Sequence, residues 1–364
     1  MKILHVLYSG LGGHGNVFFS SVKADTENEF EYEALFNGIE GLRTEYVEKC
    51  NEYNIEWSFI KKKPGIDLKY YKSLLRIIKK SNAEIIFLHS SAYILPAKLA
   101  SLLSRQKKKI IIRETQANNL KTKKEWLWLS ISFLWADKII FLSEAYKSEI
   151  KRKLNRFFSE KKITIIPNGI DLNAFNPAPK INNDTFVIGM QSRIVKIKDH
   201  ETLLKAFAQV KNNKIHKGKN LKLKIAGEGE TKIELQRLAI TLEIIDAVEF
   251  TGMLDEFKLI GFLQSLNLYI HASFGETMST AIMQAMACGL PIIASNVPGI
   301  NNMIIDNNTG ILVPVQNEQL MAKAIINILN DNSFADELGE NAYAFAKQNY
   351  SNLTMFKKYK ELFT

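Results

Sequence analysis

The chain of 364 residues is poor in cysteine and proline, with two cysteines, Cys50 and Cys288, and eight prolines. Two thiols so far apart exclude a disulfide-stapled scaffold and a cysteine-based metal site. The six histidines, at 5, 14, 89, 200, 216 and 271, fall in no ligand spacing, so no structural zinc is expected. No two aspartates are separated by a single residue. The longest mostly apolar stretch, Trp126 to Ala136, is about half of the roughly 20 residues that cross a bilayer. The opening MKILHVLYSG lacks the long apolar core and cleavage site of a signal peptide. Together these absences predict a reduced, cytoplasmic protein without a membrane span. No repeat of solenoid period is present either.

What is present is a globular composition, 46% hydrophobic and 24% charged, long enough for two domains that each bury a core. The net charge of +10 is unevenly placed. Residues 1–175 hold 29 Lys+Arg against 19 Asp+Glu, and the remainder holds 19 against 19. Within the first half, residues 57–124 carry 17 basic and 3 acidic residues, whereas residues 1–56 carry 4 and 10. Such a basic face suits anionic lipid or a phosphate-bearing ligand. It also suits no more than a solvated, lysine-rich surface. No recognition helix or aromatic binding module accompanies it, so nucleic acid is not expected as a partner.

Short apolar runs at Ile3 to Leu7, Ile85 to Leu88, Lys109 to Ile112 and Lys138 to Leu142 alternate with helix-like segments. That alternation predicts parallel strands with crossover helices. A helix to about Phe158 and a strand at Ile163 to Ile166 lead into PNGIDLNAFNPAPKINND, which reads as a linker. Beyond it the rhythm restarts with strands FVIGM, LKLKIAG, VEF, LYIHA and PIIAS and helices HETLLKAFAQV, TKIELQRLAITL and TAIMQAMACG. The fold class predicted is therefore α/β, two Rossmann-like doubly wound domains with a cleft between them. The first covers 1–172, the second 173–349, and a last helix, about 350–364, crosses back to the first. Amphipathic segments Glu318 to Leu329 and Phe334 to Lys347 close the second domain.

Two clusters carry candidate chemistry. The first, SGLGGHGNV, places Gly10, Gly12, Gly13 and Gly15 between a strand and a helix and contains G-x-G-x-x-G. Glycines there allow close backbone approach to a phosphate at a helix amino terminus. The acidic residue that should follow about 20 positions on is poorly placed, among Asp25 to Glu33, so a plain tight turn competes with a dinucleotide site. The second cluster is an ordered set: PNGID at 167–171, SRIVKIKD at 192–199, AGEGE at 226–230, VEFTG at 248–252, and HASFGETMSTAIMQAMACGLPIIAS from His271.

This ordered set resembles the retaining family-4 glycosyltransferases of the GT-B fold, strongly over the C-terminal half and loosely, through the glycine loop and His89, over the N-terminal half. The resemblance implies transfer of a sugar from a nucleotide-diphosphate donor, a uridine diphosphate sugar being favoured. Arg193 and Lys198 match the basic pair that holds the donor diphosphate. Glu276 matches the first glutamate of the E-x7-E element, which contacts the transferred sugar. Thr280 and Ala281 match positions whose amides approach the phosphate, Gly12, Gly13 and Gly227 match the glycine loops, and Leu254 matches an apolar residue against the base. The second glutamate is here Gln284, which gives up a charge-assisted pair to the ribose. His89 matches a histidine directed at the sugar. Where relatives often carry another histidine stands Thr115, so that contact is missing or served by Glu114 or Arg113.

The absent Asp-x-Asp element implies that no metal or other cofactor is required, the departing pyrophosphate being met by protein cations. His271 reads as a satisfied polar residue at a strand end. A glycan or lipid-linked acceptor, in capsule, O-antigen or exopolysaccharide assembly at the inner face of the cytoplasmic membrane, completes the expectation. EWLWLSISFLWADK reads either as core or, with the lysines before it, as a membrane-interface helix, and YYKSLLRIIKK is an alternative interfacial helix. Two other functions remain open at this point. One is an NAD-type Rossmann oxidoreductase, which accounts for the first glycine loop and leaves Arg193, Lys198 and Glu276 unexplained. The other is a non-catalytic nucleotide-sugar-binding protein, suggested by Gln284.

Overall fold

The computed structural model describes residues 1–10, 13–179, 184–212 and 219–364. Gly12 and His216 therefore lie outside the described residues. The chain divides into two compact units, Met1–Gly169 with Asn352–Thr364, and Ile170–Ser351.

In the first unit the strands are β1 (Lys2–Tyr8), β2 (Glu31–Gly38), β3 (Glu56–Lys61), β4 (Ile85–Leu88), β5 (Lys109–Arg113), β6 (Lys138–Phe141) and β7 (Ile163–Ile165). They form one parallel sheet in the order β3-β2-β1-β4-β5-β6-β7. The connecting helices are α1 (Gly13–Ala24), α2 (Thr44–Glu52), α3 (Leu68–Lys80), α4 (Ile94–Leu103), α5 (Lys123–Trp135) and α6 (Glu144–Leu154). The order reverses between β1 and β4, the place where open α/β sheets bind ligands at their carboxyl edge. Central strands such as IIFL are buried along their whole length, which is why they read as unbroken apolar runs. One sheet face packs against α1, α2 and the C-terminal helix α13 (Asn352–Phe363), through Phe18, Tyr46, Phe356 and Phe363. The other packs against α3 to α6, through Leu74, Ile78, Ala97, Leu129 and Phe133. In α5 the tryptophans 126, 128 and 135 pack half-buried on this core, while Leu127 and Leu134 face outward.

The second unit repeats the plan with β8 (Thr185–Gln191), β9 (Asn220–Ala226), β10 (Val248–Gly252), β11 (Leu268–His271), β12 (Ile292–Ser295) and β13 (Ile311–Val313). The parallel order is β10-β9-β8-β11-β12-β13, reversing between β8 and β11. Its helices are α7 (His200–Asn212), α8 (Lys232–Thr241), α9 (Glu256–Gln264), α10 (Thr280–Ala287), α11 (Glu318–Asn330) and α12 (Asn332–Asn349). The division falls after Gly169 rather than after 172. The Ile170 N–H donates to the Tyr350 carbonyl at 2.8 Å, Ile170 bridges to Ser351, and its side chain joins the core of the second unit. Among the described residues no helix is long and apolar enough to cross a membrane.

Candidate functional site

In the second unit the site begins where β8 ends. The Ser192 N–H donates to Ala226 O at 3.0 Å and the Ile194 N–H to Glu228 O at 2.9 Å, so the segment carrying Arg193 is clamped to the loop after β9. Gly227 makes that approach possible: its φ is +142°, and a Cβ there would lie 1.9 Å from the Ser192 carbonyl oxygen. The Arg193 side chain is exposed, projecting from a backbone fixed on both sides.

Lys198 follows in a short 3-10 turn (Lys196–Lys198). The Phe274 N–H donates to Ile197 O at 2.9 Å, tying this turn to the loop after β11. Across that junction the Lys198 ammonium pairs with the Glu276 carboxylate, both largely shielded from solvent. Burial alone would raise the Glu276 carboxyl, but the Lys198 charge and the His271 hydrogen bond outweigh it and hold the group down at about 2. Glu276 is therefore an ionised acceptor. His271 Nε2 lies 3.0 Å from Glu276 Oε1, and its Nδ1 lies 3.2 Å from the Tyr269 hydroxyl, itself 3.2 Å from Gln191 O. Burial pushes the His271 pKa down, so the ring is neutral, and a carboxylate that only accepts places the single proton on Nε2. His271 is thus more than a satisfied strand-end residue: it orients the Glu276 carboxylate. The signal in sequence was its spacing of five from Glu276, which becomes contact only when the loop folds back.

Thr280 and Ala281 open α10, capped by Ser279, whose hydroxyl accepts from the Ile282 N–H at 3.4 Å. The leading N–H groups of such a helix have no intrahelical acceptor and favour anions. One turn on, Gln284 is 5% exposed, and its Oε1 has no hydrogen-bond partner among the described residues. Leu254, half-buried between β10 and α9, packs on the core beside them.

In the first unit the sequence-derived candidates gather at the carboxyl edge of the sheet. His89, directly after β4, is buried with Nε2 3.0 Å from His5 Nδ1, and its N–H donates to Val6 O at 3.0 Å. Half-buried His14, at the start of α1, places Nε2 2.9 Å from Thr115 Oγ1. Burial pushes His5 and His14 down to about 3 and His89 well below the ordinary range, with Arg113 adding to the last two. Three neutral imidazoles result. Arg113, the last residue of β5, is fully buried and donates to Asn168 Oδ1. Glu114 forms a buried pair with Lys121 at 3.4 Å. Each alternative to Thr115 thus has one partner, while Arg113 Nε and Nη1 and Glu114 Oε2 have no hydrogen-bond partner among the described residues; Thr115 itself meets His14, a residue the sequence reading passed over. Of the first glycine loop, Gly13 opens α1, whereas Gly10 and Gly15 answer to packing, since Cβ atoms there would collide with Glu40 and Tyr46. Among the described residues no group of three or more His, Cys, Asp or Glu could hold a metal ion.

Two family models match the chain, Glycosyltransferase Family 4 over residues 12–174 and Glycosyl transferases group 1 over residues 173–345. An uncharacterized glycosyltransferase, MJ1069, of Methanocaldococcus jannaschii is 29% identical over 238 residues, 64% of this chain and 59% of that protein. The capsular polysaccharide biosynthesis glycosyltransferase CapM of Staphylococcus aureus is 25% identical over 65% of this chain and 64% of its own length. The matched region thus spans less than two thirds of these relatives. Among solved structures, Anabaena HepE in complex with UDP and glucose superposes with a TM-score of 0.81 at 17% identity, over 100% of this chain and 99% of that one. Staphylococcus aureus TarM gives 0.79 at 14% identity over the same shares. At such identities these two show a shared fold.

Proposed function

Because the chain belongs to the family-4 glycosyltransferases of the GT-B fold, we propose that it moves a sugar, with retention of configuration, from a nucleotide-diphosphate donor, a uridine diphosphate sugar being favoured. A hexose or N-acetylhexosamine goes to a glycan or lipid-linked glycan in capsule, O-antigen or exopolysaccharide assembly, at the inner face of the cytoplasmic membrane. The single observation that carries this reading is the shielded Lys198–Glu276 pair, whose lysine follows the exposed Arg193 in the same loop after β8. A pyrophosphate gains negative charge as the glycosidic bond breaks, and cations fixed before the reaction stabilise that charge without reorganising. Glu276 and His271 provide the fixing for Lys198, and Arg193 adds a second cation on a clamped backbone. The α10 amino terminus, with Thr280 and Ala281, faces the phosphates, Leu254 the base, and Gln284 Oε1 accepts from a ribose hydroxyl. The acceptor hydroxyl approaches the face from which the diphosphate departs, and a donor phosphate oxygen takes its proton.

Support for the donor and the setting comes from proteins that are only similar: HepE was crystallised with UDP-glucose, CapM is named for capsular polysaccharide, and a Streptococcus pneumoniae relative, 31% identical over 56% of this chain, is an alpha-monoglucosyldiacylglycerol synthase. No metal enters the proposed chemistry, because protein cations serve the diphosphate. The test is a panel of nucleotide diphosphate sugars, read by thermal shift and by release of the diphosphate, with and without a chelator. Stabilisation by uridine diphosphate and turnover that survives chelation are expected. Loss of turnover on chelation would overturn the metal-free mechanism. Donor binding with neither hydrolysis nor transfer would return the non-catalytic reading that Gln284 favours, and reduced nicotinamide binding without a uridine diphosphate response would return the oxidoreductase.

A further inference from the structure

The segment between β3 and α3, KKKPGIDLKYYK over residues 61–72, is built more firmly than a surface connection requires. Both Asp67 carboxylate oxygens are used: Oδ1 accepts from the Tyr70 N–H at 3.0 Å, capping α3, and Oδ2 from the Lys63 N–H at 3.0 Å. The Lys62 ammonium folds back to donate to the carbonyls of Lys63 and Gly65 at 3.0 and 3.1 Å. Gly65 turns the chain at φ +81°, in the left-handed region, directly after Pro64. A turn closed by these bonds nevertheless holds two branched aliphatics out into solvent, Ile66 at 84% and Leu68 at 77% exposure, the most exposed large hydrophobics among the described residues of the first unit.

The surroundings of this pair are cationic. Lys61, Lys63, Lys69 and Lys72 are exposed, the same helix carries exposed Arg76, Lys79 and Lys80 further along, and the one acid of the turn is consumed as a cap. Buried Tyr70, Leu74 and Ile78 anchor α3 on its inner face, so the outer cationic face is not a frayed or misplaced surface. Aliphatic tips surrounded by lysines match a bilayer interface, where the tips enter the acyl boundary and the ammonium groups meet anionic headgroups. A second copy of this face would bring like charges together.

We propose that the β3–α3 turn is a membrane-docking element, seating Ile66 and Leu68 in the interface of a bilayer that contains anionic lipid. The turn leaves the carboxyl edge of the sheet, where His89 and Arg113 also lie, so docking there brings that edge to the lipid surface. This inference stands apart from the sugar chemistry, since none of its residues belongs to the donor site.

The test uses the full chain with vesicles of phosphatidylcholine alone or mixed 3:1 with phosphatidylglycerol, by co-sedimentation at low and at physiological salt. Binding to the mixed vesicles, at least about ten-fold weaker on phosphatidylcholine alone and weakened by salt, is expected. The Ile66→Ser/Leu68→Ser variant should bind about ten-fold more weakly with an unchanged melting temperature and an unchanged response to uridine diphosphate. Wild-type protein that ignores anionic vesicles, or a serine variant that binds as the parent does, would overturn the proposal. A dimer in sedimentation velocity that the serine variant abolishes would overturn it too, reassigning the turn to self-association. Because the nucleotide response is followed in parallel, failure of docking and failure of the transferase reading give different results.

Discussion

Glu276 and Gln284, eight positions apart, differ by one functional group and by everything around them. The glutamate is ionised and doubly held, by Lys198 and His271. With its folded-state pKa held down at about 2, its stabilising contribution is fully in place above the ordinary carboxylate range near 4.3 and is lost as pH falls through about 2. Glu276→Gln should therefore cost roughly 3 kcal/mol at neutral pH, and the gap to the parent should close between about pH 4.5 and 2. A gap in urea midpoints that stays constant across that window would show that another group titrates. Lys198→Ala should lower turnover at least about 100-fold, the usual loss for one charge-stabilising group, and unchanged turnover would remove it from the mechanism. For the amide, Gln284→Glu should tighten the donor about five-fold, the equivalent of roughly 1 kcal/mol for a charge-assisted bond. The same change should lower the stability of the free protein by about 1–3 kcal/mol, because a buried charge then waits without a partner. Calorimetric titration and a melt without ligand read the two effects separately. Identity and spacing made these residues legible in the sequence; the His271 contact was not, because it depends on a loop closing through Ser273 and Phe274 onto Ile197.

At the level of elements, legibility followed burial. β4, β5, β6, β11 and β12 sit in sheet centres, are covered on both faces, and read as apolar runs. β2 and β3 did not. EYEALFNG opens with two glutamates, Glu31, which pairs with Lys2, and Glu33, ahead of five buried residues, and EWSFIK is an edge strand with no residue fully buried. A strand that opens on charged residues, or that lies at a sheet edge, carries only a short apolar run. The loop after β9 offers the sharpest test at this scale. Gly227→Ala would push a methyl into the Ser192 carbonyl and strain a backbone at φ +142°. The variant should lose about 2–3 kcal/mol, lowering the melting temperature by about 4–10 °C, and should bind the donor diphosphate more weakly because the Arg193 segment must move. A variant as stable as the parent would contradict the clamp.

At the level of the whole chain, the division falls inside the Pro- and Asn-rich stretch, after Gly169, because Ile170 is held to the second unit by its bond to Tyr350, its bridge to Ser351 and its buried side chain, none of which a local pattern encodes. The C-terminal helix α13 belongs to the first unit through Met355, Phe356, Tyr359, Leu362 and Phe363, all in one core with β1 and α1. Five such side chains at roughly 2 kcal/mol each amount to about 10 kcal/mol, comparable with the total stability of a domain. A chain ending at Ser351 should therefore fail to yield a folded first unit, visible as a missing cooperative transition. The bridge between Ile170 and Ser351 has a wider meaning. The polypeptide leaves the first unit at Gly169, whose N–H donates to Met355 Sδ at 3.0 Å, and rejoins it at Asn352, whose amide donates to Ser20 O at 3.3 Å. Topologically the second unit is a guest in a host, threaded through a single gap whose two lips touch. Such a guest can be excised or exchanged for another with almost no change in the host's loop-closure entropy, leaving one unit free to change while the other is kept.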